Sequence, residues 1–201
     1  MLTLYDFPAS GNGYKVRLLL RQLGIDFRYV QTDILKGETR SAEFLAINPN
    51  GKIPAVVLND GRSLCESNAI MYYFARDTGL FPDDPYRQAQ VLQWLFFEQY
   101  SHEPAIAVSR FIRHYLPADH PRQAELAGLQ SRGHAALGVM EKALAGRDFL
   151  VGEDYTIADI GLYAYTHVAD EGGFELAGYP AIRDWLVRVR AQPGHVPITA
   201  V

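Results

Sequence analysis

Three short stretches bring together residue types that can do chemistry. Ser10-Gly11-Asn12-Gly13 precedes a helical run, and a Ser hydroxyl and an Asn amide at a helix N-terminus can both donate to an anion such as a thiolate. No partner His or Asp follows this turn closely enough to make Ser10 a hydrolase-type nucleophile. Gly11-x-Gly13 leads into Val16 rather than a third glycine, which falls short of a dinucleotide loop. Glu66-Ser67 stands where a strand meets the next helix. Helix N–H groups and the Ser67 hydroxyl suit a carboxylate there, and Glu66 suits an ammonium, so the pair fits an α-amino acid head group. Ser67 is equally placed as a plain helix cap. Between them, Asn48-Pro-Asn50-Gly-Lys52-Ile53-Pro54 puts a proline at the mouth of a strand, where it normally removes a ladder hydrogen bond. A cis Ile53–Pro54 bond would turn the Ile53 backbone outward, open to an extended peptide ligand. An ordinary loop before an edge strand reads the same way.

The elements that must position these residues follow from periodicity. Leu2–Tyr5 is a short strand, and Val16, Leu19, Leu20 and Leu23 recur at helical spacing before a terminating Gly24. Phe27–Val30 is the second strand, which makes a βαβ unit with parallel strands. Ser41 caps a short helix to Ile47 that Asn48-Pro49 stops. Ala55–Leu58 and Arg62–Cys65 flank Asn59-Asp60-Gly61 as a hairpin, and a helix runs from Ser67 to about Thr78. The order β-α-β-α-β-β-α is the thioredoxin arrangement, expected over residues 1–78. Residues 79–85 (GLFPDDP) read as a linker, with Asp84-Pro85 as a helix start. Residues 86–201 read as all-helical: a long segment to Tyr115 interrupted at Pro104, another from Pro121 to Gly146, a third opened by Thr156-Ile-Ala-Asp159 at capping-box spacing, and a fourth over Ala181–Ala191. The fold class is therefore a small α/β domain followed by an all-α domain.

Composition excludes several classes. At 201 residues the chain is long enough for one domain or two small ones. The net charge is −4; residues 1–78 carry 9 basic and 8 acidic groups, and residues 79–201 carry 10 and 15. The second part would repel phosphate backbones and anionic membranes, so neither nucleic acid nor membrane is an expected partner. The most membrane-like stretch, Ile160–Ala169, is far short of the ~20 residues a spanning helix needs. MLTLYDF lacks the basic start of a secretory signal, and a cytoplasmic location is expected. A lone Cys65 permits no internal disulfide, and six scattered His give no ligand spacing, so no metal is expected.

Taken together, the three stretches make the chain resemble the cytosolic glutathione S-transferases, over its whole length. The marks are the N-P-x-G-K-I-P run at 48–54, Glu66-Ser67-Asn68-Ala69-Ile70, and Thr156-Ile157-Ala158-Asp159, which resembles the family's buried capping motif. Ser10-Gly-Asn-Gly-Tyr-Lys15-Val-Arg17 resembles the active-site turn of the serine-type, theta- and zeta-like classes. The resemblance implies that Ser10 activates the thiol of glutathione, with Asn12 beside it as a second donor. It implies that Lys52 and Lys36 lie near the glycyl carboxylate, that Ile53 and Pro54 meet the cysteinyl part, and that Glu66 and Ser67 hold the γ-glutamyl head. Theta-like relatives often have His where Thr39 stands, and no Cys occupies the 10–13 turn, so mixed-disulfide chemistry on the protein is not expected. The helical domain would supply an electrophile pocket from Tyr100, Ser101 and Arg110. The implied activity is a transferase in which bound glutathione attacks a hydrophobic electrophile, in a homodimer. Alternatives are a glutathione-dependent disulfide reductase or isomerase, and a non-catalytic glutathione-binding or protein-interaction module.

Overall fold

The computed structural model describes residues 1–201, which divide into two units: Met1–Gly79 together with Pro193–Val201, and Leu80–Gln192. The first unit is built on four strands, β1 (Thr3–Asp6), β2 (Arg28–Gln31), β3 (Ala55–Val57) and β4 (Ser63–Cys65), in spatial order β2-β1-β3-β4. β1 and β2 are parallel, with Thr3 opposite Arg28, while β1–β3 and β3–β4 are antiparallel. Leu2 and Leu4 alternate onto one sheet face with Val56, and they pack against Val16, Leu20 and Ile70. Those three belong to helices α1 (Gly11–Gln22) and α3 (Ser67–Ala75), while α2 (Ala42–Ile47) begins at Ser41, whose side chain accepts from Phe44 N. This is the thioredoxin-like order read from the sequence.

Two features of this unit differ from expectation. α3 stops at Ala75 rather than near Thr78, because the Thr78 hydroxyl and N–H both bond back to the Ala75 carbonyl at 2.8 and 2.9 Å. The last nine residues, expected with the helical domain, pack with the first unit instead. Their backbone supplies acceptors to α1: Tyr14 Oη donates to Val196 O at 2.7 Å, and Arg17 Nη1 donates to Ile198 O at 2.8 Å and to Ala200 O. Main-chain carbonyls do this work, so no side-chain pattern announced it.

The second unit is helical, with α4 (Pro85–Phe97), α5 (Glu103–Tyr115), α6 (Leu126–Leu144), α7 (Ile157–Thr166) and α8 (Pro180–Arg190). Asp84 caps α4 through Arg87 N, with Pro85 in its first turn. The interruption expected at Pro104 is a π-helical turn, Glu98–His102, closed by Glu103 N on Glu98 O. The wider turn lets the proline enter α5 in its first turn, where its missing N–H costs nothing. Thr156 and Asp159 form the expected capping box on α7. No helix is long and apolar enough to cross a membrane.

Candidate glutathione site

The turn after β1 delivers Ser10 as the N-cap of α1: its backbone is extended (φ −74°, ψ 122°) and its Oγ accepts from Gly13 N at 3.2 Å. The hydroxyl proton remains the group Ser10 can offer an anion. Asn12, half-buried in the first turn, accepts from Lys15 Nζ on Oδ1 at 2.8 Å. The ammonium of lysine can only donate, so it meets the carbonyl end of the amide, and Nδ2 is the end turned away from it. Lys15 itself is fully buried and also lies 3.4 Å from Ser67 Oγ. One side chain thus connects the thiolate-type donors of α1 to the start of α3.

At that start the residue roles differ from a simple cap. Glu66 is the N-cap, makes no side-chain cap bond, and holds φ 66°, ψ 112°. A non-glycine residue there costs roughly 1–3 kcal/mol, strain of the kind that concentrates at ligand sites. Ser67 is already inside the first turn and is 4% exposed, its oxygen serving Lys15 rather than capping α3. Glu66 is exposed beside it. A helix N-terminus flanked by a carboxylate is the charge pattern an amino acid head group needs.

The 48–54 loop is organised by Asn48. Its amide donates to Lys52 O at 2.6 Å and accepts from Asn50 N at 3.0 Å, and it is 4% exposed. The Ile53–Pro54 bond is cis. No hydrogen bond within the chain takes up the N–H or C=O of Ile53. Two unpaired backbone groups on a half-buried residue are what strand-like pairing with an extended peptide requires. Pro54 is buried and Lys52 exposed, and Lys36 is exposed and ion-paired to Asp33 at 3.3 Å. Cys65 is a bystander: its thiol donates to Ile47 O at 3.7 Å and is pushed up by burial and by the Glu66 charge, away from thiolate reactivity.

In the helical unit, Tyr100 and Ser101 line a cavity of about 700 Å³ together with Phe97, Pro104, Arg132 and Val139. Tyr100 is 87% exposed. Arg110, expected with them, is not on its wall; it is 7% exposed and bonded to Glu171 at 2.6 Å. No cluster of His, Cys, Asp or Glu could hold a metal ion.

Two family models cover most of the chain: the glutathione S-transferase N-terminal domain matches residues 1–76 and the glutathione S-transferase C-terminal domain residues 104–193. The chain belongs to the glutathione S-transferase family. It is 36% identical over 200 residues to the disulfide-bond oxidoreductase YfcG of Escherichia coli, covering 96% of this chain and 92% of YfcG. The crystal structure of a glutathione S-transferase from Pseudomonas fluorescens superposes with a TM-score of 0.96 at 52% identity, over 99% of both chains. A glutathione transferase from Burkholderia graminis, crystallised with two glutathione molecules bound per subunit, superposes at 0.84 with 27% identity, over 96% of this chain and 85% of that one.

Within this fold, Ser10, Asn12, Ile53, Glu66 and Ser67 stand in recognisable motifs, whereas Lys15 belongs to none of the three stretches. Its signal was present: Lys15 stands three residues after Asn12 on one helix face. The contact with Ser67, 52 residues later, had no such signal.

Proposed function

We propose that this chain binds glutathione and activates its thiol for attack on a hydrophobic electrophile, a glutathione transferase. The observation that carries the reading is the unpaired Ile53 backbone, on the same unit as two amide and hydroxyl donors at the start of α1. In this reading Ile53 and Pro54 take the cysteinyl segment, Glu66 and Ser67 the γ-glutamyl head, and Lys52 and Lys36 the glycyl carboxylate. The resemblance puts Ser10 first as thiol activator; because its oxygen is engaged as the helix cap while Lys15 fixes the Asn12 amide, this reading makes Asn12 the principal donor to the sulfur and Ser10 the second. Catalysis then consists of lowering the thiol pKa and holding the sulfur in place. Tyr100 and Ser101, on the cavity of the helical unit, meet the electrophile. A cytoplasmic homodimer belongs to the same reading, as the family implies.

A second reading is favoured by the relationship to YfcG, named a disulfide-bond oxidoreductase. There the electrophile is a disulfide sulfur. Glutathione thiolate attacks it, releasing one half as a thiolate and leaving a mixed disulfide; a second glutathione thiolate then attacks the glutathione sulfur of that mixed disulfide, releasing the other half as a thiolate and forming glutathione disulfide. The same activated thiol serves both reactions.

The test is a pair of turnover assays on one preparation, alongside glutathione titration by calorimetry. Conjugation of a chloronitrobenzene above the uncatalysed rate supports transfer. Glutathione-dependent reduction of a small disulfide with no conjugation moves the assignment to the second reading. Binding without turnover in either assay overturns both and leaves a glutathione-binding module.

A further inference from the structure

We propose that Lys15 is a positioning residue of the glutathione site, orienting the Asn12 amide toward the thiol and tying it to the γ-glutamyl end through Ser67. The inference rests on the glutathione reading above and deepens it. Its basis is geometric. Nζ of a fully buried lysine lies 2.8 Å from Asn12 Oδ1 and 3.4 Å from Ser67 Oγ. α1 and α3 pack against one another beside the sheet, so the lysine crosses from one to the other inside the unit. Burying a lysine amine is costly unless its donors are used, and a structural cation is cheaper to build at the surface. Here two of its acceptors are side chains assigned to opposite ends of one ligand.

The consequence is directional. An asparagine amide can flip, presenting either oxygen or nitrogen at nearly equal steric cost. An outward oxygen would repel a thiolate, and an outward Nδ2 would stabilise it. Lys15 removes the choice, because a nitrogen facing its amine would place donor against donor. Lys15 therefore does not touch the sulfur; it sets which end of Asn12 does. Ser67 Oγ, accepting from the same amine, keeps its proton to donate to the γ-glutamyl carboxylate.

The experiment follows thiolate absorbance of bound glutathione against pH in wild type, Lys15→Met, Lys15→Gln, Asn12→Ala and the Lys15→Met/Asn12→Ala double variant, with kcat and KM for glutathione. In Lys15→Met the thiol midpoint is expected to rise by about one unit, a roughly tenfold loss of thiolate below the midpoint. kcat near neutral pH falls, while KM for glutathione moves less. In the Asn12→Ala background the same substitution adds nothing, because the residue it acts through is gone. Lys15→Gln, which keeps an N–H donor without the charge, retains most of the wild-type midpoint and also serves if the methionine variant fails to fold. An unshifted midpoint in Lys15→Met with only a lower melting temperature overturns the proposal and leaves a structural lysine. An equal shift with and without Asn12, or a full shift in Lys15→Gln, also overturns it, since the charge would then act on the sulfur directly. If wild type binds no glutathione, the functional reading fails first and the proposal with it; a lowered thiol midpoint in wild type with silent variants removes only Lys15.

Discussion

Gly13 and Asp6 stand so close that a methyl group on Gly13 would come within 1.6 Å of Asp6 Oδ1. Asp6 ends β1, Gly13 lies in the first turn of α1, and Arg17 one turn later donates from Nε to Asp6 Oδ2 at 2.9 Å. The site turn is therefore bolted to the sheet by a buried ion pair that leaves room for a hydrogen atom only. Glycine inside a helix ordinarily costs about 1 kcal/mol relative to alanine. Here crowding reverses the sign, and Gly13→Ala is expected to destabilise by roughly 1–3 kcal/mol. Urea denaturation decides it; a stabilised variant would show that the carboxylate moves aside freely.

Asp6 also sets a pH dependence. Burial outweighs the attraction of Arg17 and pushes its carboxyl up to about 7, against about 3.9 in an unfolded chain. Between these values the folded state holds a proton that the unfolded state has released, so unfolding free energy falls as pH rises from about 4 to about 7. Asp159, pushed by burial to about 6, acts with the same sign. The lowered carboxyls of Asp33, Asp60 and Glu125 act oppositely, and only in more acid solution. Asp6→Asn should flatten the decline of stability across this window. Urea midpoints measured from pH 4.5 to 7.5, on the order of the interval between those values, check this; parallel curves for variant and wild type would refute it.

Asp159 does more than cap a helix. Its carboxylate accepts from Thr156 N at 2.9 Å, Thr156 Oγ1 at 3.2 Å, Leu150 N at 3.0 Å and Trp185 Nε1 at 2.9 Å, in full burial. From the sequence, Thr156→Ala and Asp159→Ala are each expected to cost about 0.5–2 kcal/mol as caps. The structure separates them. Asp159→Ala strands several buried donors at ~1–3 kcal/mol each and should exceed that range, with Thr156→Ala remaining inside it. Equal denaturation midpoints for the two variants would contradict this.

Asn12 and Ser10 make separable contributions. Asn12→Ala removes the donor held by Lys15 and should raise the bound thiol midpoint by about one to two units. Ser10→Ala should shift it less and lower stability by about 1 kcal/mol through the lost bond to Gly13 N. Thiolate absorbance against pH, with thermal melts, distinguishes them; the opposite ranking would make Ser10 the activator.

The chain end should behave as part of the first unit. Deleting residues 195–201 removes the carbonyls of Val196, Ile198 and Ala200 from Tyr14 and Arg17, both essentially buried. Hydrogen bonds to a charged donor are worth about 1.5–3 kcal/mol, so the loss should be on the order of 3 kcal/mol. A truncated chain with the wild-type urea midpoint would make the tail incidental.

Features that depend only on neighbours along the chain can be read from the residues alone. The βαβ period, the Ser41 and Asp84 caps, the Asn59-Asp60-Gly61 hairpin and the Thr156–Asp159 box are local patterns, and each appears where its residues stand. The turn at Ser10, the 48–54 loop and Glu66-Ser67 were legible for the same reason: turn and cap chemistry acts within four residues. Contacts between distant segments, by contrast, come into view only in the folded chain. Lys15 reaching Ser67, Asp6 wedged against Gly13, Trp185 on Asp159, Arg110 committed to Glu171, and main-chain carbonyls at 196–200 receiving Tyr14 and Arg17 all join residues with no shared periodicity. A backbone acceptor has no residue type, and a buried polar pair is set by the packing of whole helices. Neither leaves a spacing to read until the chain has folded.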